Sequence, residues 1–188
     1  MPCASRKRRI RTDFTRNNHD NHGKYARHEH QHPSTPARLD FAHPPRIAIV
    51  VSRFNENVTH GLRDGAVAWL GEHDIALRAE DILYAPGAYE LPLLAQTLAR
   101  TGRYDGVVCL GCVIKGDTAH FEFISLGATI GLQQAALSTE VPIAFGVLTT
   151  YTDEQAVVRS RDDVHNKGRE AVAACVESIA LLHKIRGC

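Results

Sequence analysis

Several features are missing from this sequence, and each absence narrows what the chain can be. No segment approaches the ~20 consecutive apolar residues that a membrane helix needs, so no membrane span is expected. The N-terminus carries charge but lacks the apolar core of a secretory signal. No internal repeat is visible, which argues against a solenoid or propeller. There is little net charge, a formal +1 over 188 residues. The five cysteines are an odd count and leave no complete disulfide set. Three of them (Cys109, Cys112 and Cys175) sit in apolar runs, where a free buried thiol is the usual state, so a reducing cytoplasm is the expected location. Cys109 and Cys112 have C-x-x-C spacing, but within a strand residues three apart face opposite sides, and no second C-x-x-C exists. No metal is expected there.

The small net charge hides an asymmetry. Residues 1–46 hold ten Lys/Arg against four Asp/Glu and six of the eleven histidines. Residues 1–45 have no apolar periodicity, are rich in Arg, His, Asn and Pro, and end in Pro44-Pro45. Such a segment buries too little apolar surface to offset its ordering entropy, so it is read as a disordered N-terminal arm. Its basic cluster, Arg6-Lys7-Arg8-Arg9, has the chemistry to touch RNA or another polyanion, yet charge runs are weak signals. The expected state is a solvated arm with no specific nucleic-acid partner. The stretch His28 to His32 matches no defined metal-site spacing.

The body, residues 46–188, alternates strand and helix patterns. Ile47–Val51, Glu80–Ala85, Gly106–Ile114 and Val141–Leu148 read as strands. Asn55–His73, Ala88–Arg100, His120–Ser138, Asp153–Arg159 and Asn166–Lys184 read as helices. Pro92 fits only in a first turn, and Gly102 is a natural stop. Gly127 and Gly131 imply close packing of their helix. The alternation predicts an α/β fold, a flavodoxin-like three-layer αβα sandwich around a four-stranded parallel sheet.

In such sheets ligands bind outside the carboxyl ends of the strands. Three punctuated segments fall there: Ser52 to Asn55, Pro86 to Glu90, and Lys115 to His120. Their convergence would bring an aromatic, a carboxylate, an anion loop and a histidine to one rim. The helix starting near His120 offers unpaired N–H groups and a positive dipole end to a phosphate. Imidazole is the side chain suited to moving protons near neutral pH. Asp117 beside a phosphate is tolerable if its N–H donates while its carboxylate caps the helix.

Arg53-Phe54-Asn55, then Pro86-Gly87-Ala88-Tyr89-Glu90-Leu91-Pro92, then Gly111 to Phe121, then Asn166-Lys167-Gly168 together resemble the lumazine synthase family. The resemblance runs from about Arg46 to about Leu182 and excludes the arm. It implies condensation of 5-amino-6-(D-ribitylamino)uracil with 3,4-dihydroxy-2-butanone 4-phosphate to 6,7-dimethyl-8-ribityllumazine, the penultimate step of riboflavin synthesis, with no cofactor. It assigns proton transfer to His120. Phe54 would stack on the pyrimidine with Asn55 nearby. Ala88, Tyr89 and Glu90 would line the ribityl site, and Cys112, Val113 and Ile114 would hold the pyrimidine edge through backbone groups. Asp117, Thr118 and Arg159 would bind phosphate, with Lys167 near that end. Phe145 would enter from a neighbouring subunit. The implied partners are further copies of the chain, in a homopentamer or higher assembly, and riboflavin synthase. The connection from Arg159 to Lys167 lacks the glycines frequent in shell-forming relatives, which tilts the expectation towards pentamers or stacked pentamers.

Overall fold

The computed structural model describes residues 41 and 43–187, so the expectations for the basic cluster, the His28–His32 stretch and the rest of the arm lie outside the described residues. Strand β1 (Ile47–Ser52) is buried along its whole length, as an apolar run in the middle of a parallel sheet must be. β2 (Ile82–Ala85) pairs on one side of it and β3 (Gly106–Ile114) on the other, and β4 (Ile143–Thr150) pairs with β3. The order is β2-β1-β3-β4, and every pairing is parallel.

Alternation of side chains divides the core in two. Ile47, Ile49 and Val51 of β1, with Val108, Leu110 and Cys112 of β3, pack beside α1 (Glu56–Glu72) and α5 (Lys167–Arg186). Ala48 and Val50, with Val107 and Cys109, face α2 (Leu91–Arg100) and α3 (His120–Thr139). The three-layer sandwich is therefore the observed fold. Cys109 and Cys112 lie in opposite cores, and both are free.

Most element ends shift by one to three residues from the sequence reading, and three of the differences have a visible cause. Glu80 and Asp81 belong to a 3-10 turn (Ala79–Asp81), not to β2, because Asp81 turns inward to meet the Arg46 guanidinium at 2.7 Å. Ala88–Glu90 is a separate 3-10 turn, and α2 starts at Leu91, which places Pro92 in the first turn. β4 starts at Ile143, since Pro142 has no N–H for the ladder. Gly131 allows α3 to close on α2, for a Cβ there would lie 2.7 Å from Pro92 Cγ.

After β4 the short helix α4 (Asp153–Arg159) leads to a joint built on Asn166. This side chain is fully buried. Its Oδ1 caps α5 by accepting from the N–H groups of Gly168 and Arg169 at 2.8 and 3.4 Å. Its Nδ2 donates to the carbonyls of Gly61 and Arg161 at 3.0 and 2.8 Å. A Cβ on Gly168 would overlap the Leu62 carbonyl. The Asn166-Lys167-Gly168 motif thus fastens α5 against the backbone of α1.

Candidate functional site

α1 leaves β1 towards one face of the sheet and α3 leaves β3 towards the other. A crevice opens where two such connections diverge, and it is the usual ligand position of the architecture. Arg53 N–H donates to Ala85 O at 3.0 Å, tying the loop after β1 to the end of β2. Asn55 has left-handed backbone, φ 58 and ψ 52, and its Nδ2 donates to Cys112 O at 3.0 Å. Phe54 is 69% exposed despite its size. The Phe54 ring and the Glu90 carboxylate both border Gly87: a Cβ there would meet Glu90 Oε2 at 3.0 Å and Phe54 Cδ2 at 3.3 Å. Ala88 is buried beneath them, while Tyr89 stands exposed against Gly127.

The third loop leaves β3 beside this crevice. Lys115 N–H donates to Thr150 O at 2.9 Å, continuing the β3–β4 ladder past the strand. Its ammonium pairs with Glu122 in the first turn of α3, so the pair bridges the loop that holds Asp117 and Thr118. That hydrogen bond lowers the Glu122 carboxyl below its ordinary range. Lys115 Nζ also lies 5.3 Å from the centre of the Phe121 ring, which neighbours Tyr151. His120 opens α3, and its N–H reaches Thr118 Oγ1 at 3.4 Å. The expected capping by Asp117 is not made: the N-cap is Ala119, and no side chain caps α3. Cys112 lies under the crevice, where burial, reinforced by Asp153 and opposed by Asn55, pushes its thiol up to about 11.

Three expected residues lie elsewhere. Phe145, Arg159 and Lys167 line a cleft of about 430 Å³ along the outer edge of β4. Arg159 Nη1 donates to Gln155 O at 2.8 Å, and Lys167 Nζ holds Glu170 at 2.6 and 2.7 Å. Phe145 pairs in register with Cys109 and Thr150 with Ile114, so Phe145 sits roughly 16 Å below the rim at 3.3 Å per residue. Within one chain, Phe54, Asn55, Ala88, Tyr89, Glu90 and Cys112 to Ile114 gather at the crevice, with Asp117, Thr118 and His120 on the adjoining loop. Phe145, Arg159 and Lys167 form a separate group. The sequence reading missed the Lys115–Glu122 bridge, which nothing in residue spacing signals.

Among the described residues no group of His, Cys, Asp or Glu is arranged to hold a metal ion, and no helix is long and apolar enough to cross a membrane. A four-stranded parallel sheet covered by helices on both faces, with Phe54 and Glu90 side by side where the connections from β1 and β3 diverge, defines a flavodoxin-like α/β protein. The model of the 6,7-dimethyl-8-ribityllumazine synthase family matches residues 44–183. The chain is 68% identical over 143 residues to 6,7-dimethyl-8-ribityllumazine synthase 1 of Caulobacter vibrioides, covering 76% of this chain and 94% of that protein. It is 47% identical over 142 residues to the 6,7-dimethyl-8-ribityllumazine synthase of Salinibacter ruber, covering 76% and 91%. A similar enzyme of Deinococcus radiodurans is 47% identical over 144 residues, covering 77% and 93%. The chain belongs to the lumazine synthase family of enzymes.

Proposed function

We propose that this protein condenses 5-amino-6-(D-ribitylamino)uracil with 3,4-dihydroxy-2-butanone 4-phosphate to give 6,7-dimethyl-8-ribityllumazine, the penultimate step of riboflavin biosynthesis. The amine adds to the ketone and water leaves as the imine forms. Phosphate is then eliminated, and ring closure releases a second water. Each step moves protons, which is the work given to His120 at the mouth of α3. Phe54 offers an exposed face for stacking the pyrimidine, and Glu90 beside it accepts hydrogen bonds from ribityl hydroxyls. The backbone of Cys112, Val113 and Ile114 takes the heterocycle's edge. Backbone donors at Asp117 and Thr118 face the leaving phosphate, a charge that fixed dipoles stabilise well. With two reactants held together, orientation supplies up to ~7–11 kcal/mol of the barrier reduction in the most favourable cases.

The single observation that carries this reading is the meeting of Phe54 and Glu90 over Gly87, at the switch point beside the His120 loop. Phe145, Arg159 and Lys167 complete the site from a neighbouring subunit, since their cleft lies apart from the crevice of their own chain. Arg159 clamps the phosphate, a task that suits a guanidinium. A pentamer or higher assembly is consistent with α3, which exposes Phe123, Leu126, Ile130 and Leu137 although a soluble helix normally turns such residues inward. Three buried free thiols fit a cytoplasmic location.

The test is direct. The purified oligomer is given both substrates, product absorbance and fluorescence are followed, and phosphate release is measured in parallel. Both signals are expected in equal amounts. Absence of product from folded, assembled protein overturns the reading.

A further inference from the structure

Asn55 occupies the N-cap position of α1 without capping it through its side chain. Its backbone oxygen serves the helix, accepting from Val58 and Thr59 at 2.9 and 3.0 Å. The side chain turns the other way, to the Cys112 carbonyl 57 positions along the chain. The ladder explains why that carbonyl needs a partner. Val107 N–H donates to Pro142 O and Lys115 N–H to Thr150 O, both on the β4 side. Successive backbone groups of a strand point to opposite edges, so Cys112 and Ile114 direct theirs towards β1. The β1–β3 pairing ends at Val51 opposite Leu110, and β1 itself ends at Ser52. Beyond that point the β1-facing groups of β3 open into the crevice, where an unmade hydrogen bond is costly. The Asn55 amide supplies the next rung.

We propose that Asn55 is a positioning residue. Its side chain extends the β1 edge by one rung, holds the peptide joining Cys112 to Val113, and so aims the adjoining Ile114 backbone and the Phe54 ring at the edge and face of a pyrimidinedione. This rests on the assignment of the crevice to the ribitylaminouracil substrate. It moves Asn55 from touching the ligand to holding the groups that do. The left-handed backbone is part of the device, because it lets the chain enter α1 while the amide reaches back to β3. Asparagine and glycine both visit that conformation readily. Only asparagine brings the donor.

The experiment uses the assembled full chain and two variants. Asn55→Gly keeps the backbone conformation and removes the clamp. Asn55→Asp keeps the shape and sets a carboxylate against a carbonyl. The probe is a ribitylaminopyrimidinedione that lacks the 5-amino group and cannot condense; its Kd is measured by calorimetry beside that of inorganic phosphate. Asn55→Gly is expected to weaken the probe about tenfold, the scale of one well-made hydrogen bond, with Asn55→Asp weaker still. Phosphate affinity stays near wild type, and both variants remain folded and assembled. An unchanged probe Kd in Asn55→Gly overturns the clamp, as does an equal loss for probe and phosphate. A wild-type protein that binds the probe but makes no product overturns the proposed activity alone. A wild type that binds no probe overturns both.

Discussion

The Arg46 guanidinium donates to the Asp81 carboxylate at 2.7 Å, and Asp81 is only 1% exposed. The pair lies at the end of the sheet opposite the crevice. The same arginine spends its backbone N–H on Asp105 at 2.7 Å and lays its guanidinium 5.0 Å from the centre of the Tyr104 ring. Burial alone would raise the Asp81 carboxyl, but hydrogen bonds from Arg46 and Tyr104 outweigh burial and hold it below its ordinary value.

The pH dependence of stability follows from that direction. A carboxyl lowered by folding contributes stability above its unfolded value, about 3.9 for Asp, and the contribution is lost as pH falls through the lower folded value. Urea midpoints of the wild type should hold between pH 7 and 5 and drop steeply below about pH 4. Asp81→Asn should be less stable at pH 7 and flatter in acid. Parallel curves for the two proteins would remove Asp81 as the origin.

His120→Ala should lower kcat by tens-fold or more, the ~10²–10⁴ of a general acid–base group less whatever orientation of the two reactants still supplies. Arg159→Ala should mainly raise KM for the phosphorylated substrate. Steady-state kinetics with each substrate varied in turn separates the two effects.

The proposed division of the site between subunits has its own signature. At phosphorylated-substrate concentrations well below the KM of Arg159→Ala, co-expressed His120→Ala and Arg159→Ala chains should recover activity that neither has alone, because about a quarter of randomly mixed sites unite an intact crevice with an intact cleft. No recovery in mixed oligomers confirmed by mass would place both residues on one chain's site.

Gly168→Ala should destabilise by about 1–3 kcal/mol, the usual range for an overpacked core, and melt correspondingly earlier. The cause is contact with the Leu62 carbonyl. Thermal denaturation reads this, and an unchanged melting temperature would show that α1 and α5 part freely.

Cys109, Cys112 and Cys175 should resist alkylation in the native protein at pH 8. All three are buried, and burial pushes the Cys175 thiol up to about 12 and the Cys112 thiol up to about 11. Peptide mass spectrometry after brief iodoacetamide treatment should show them unmodified until denaturant is added.

The sheet and the loops at the carboxyl ends of its strands were readable because their signals are local. The run Ile47 to Val51, the stop at Pro86-Gly87 and the turn at Lys115-Gly116 each sit beside the element they delimit. What escaped depends on partners far away in sequence. Asp81 leaves its strand for an arginine 35 positions earlier. The Asn55 amide answers a carbonyl 57 positions later. Phe145 was expected outside its own chain's crevice, but the placing of Arg159 and Lys167 beside it along β4 depends on how α4 and α5 return to the sheet, which no local residue pattern records.

Both ends of the described body lie at the rim of the sheet opposite the Phe54 loop. β1 rises from Arg46, and its six residues, at about 3.3 Å each, carry the chain roughly 20 Å before it reaches the Phe54 loop. The closing helix ends at Arg186, which donates to the Glu140 carbonyl at 3.0 Å, just ahead of where β4 begins. A reporter or cargo protein joined at Arg46 or at Arg186 is therefore tethered at the rim opposite the Phe54 loop, so the described body is suited to carry fusions at either of its ends.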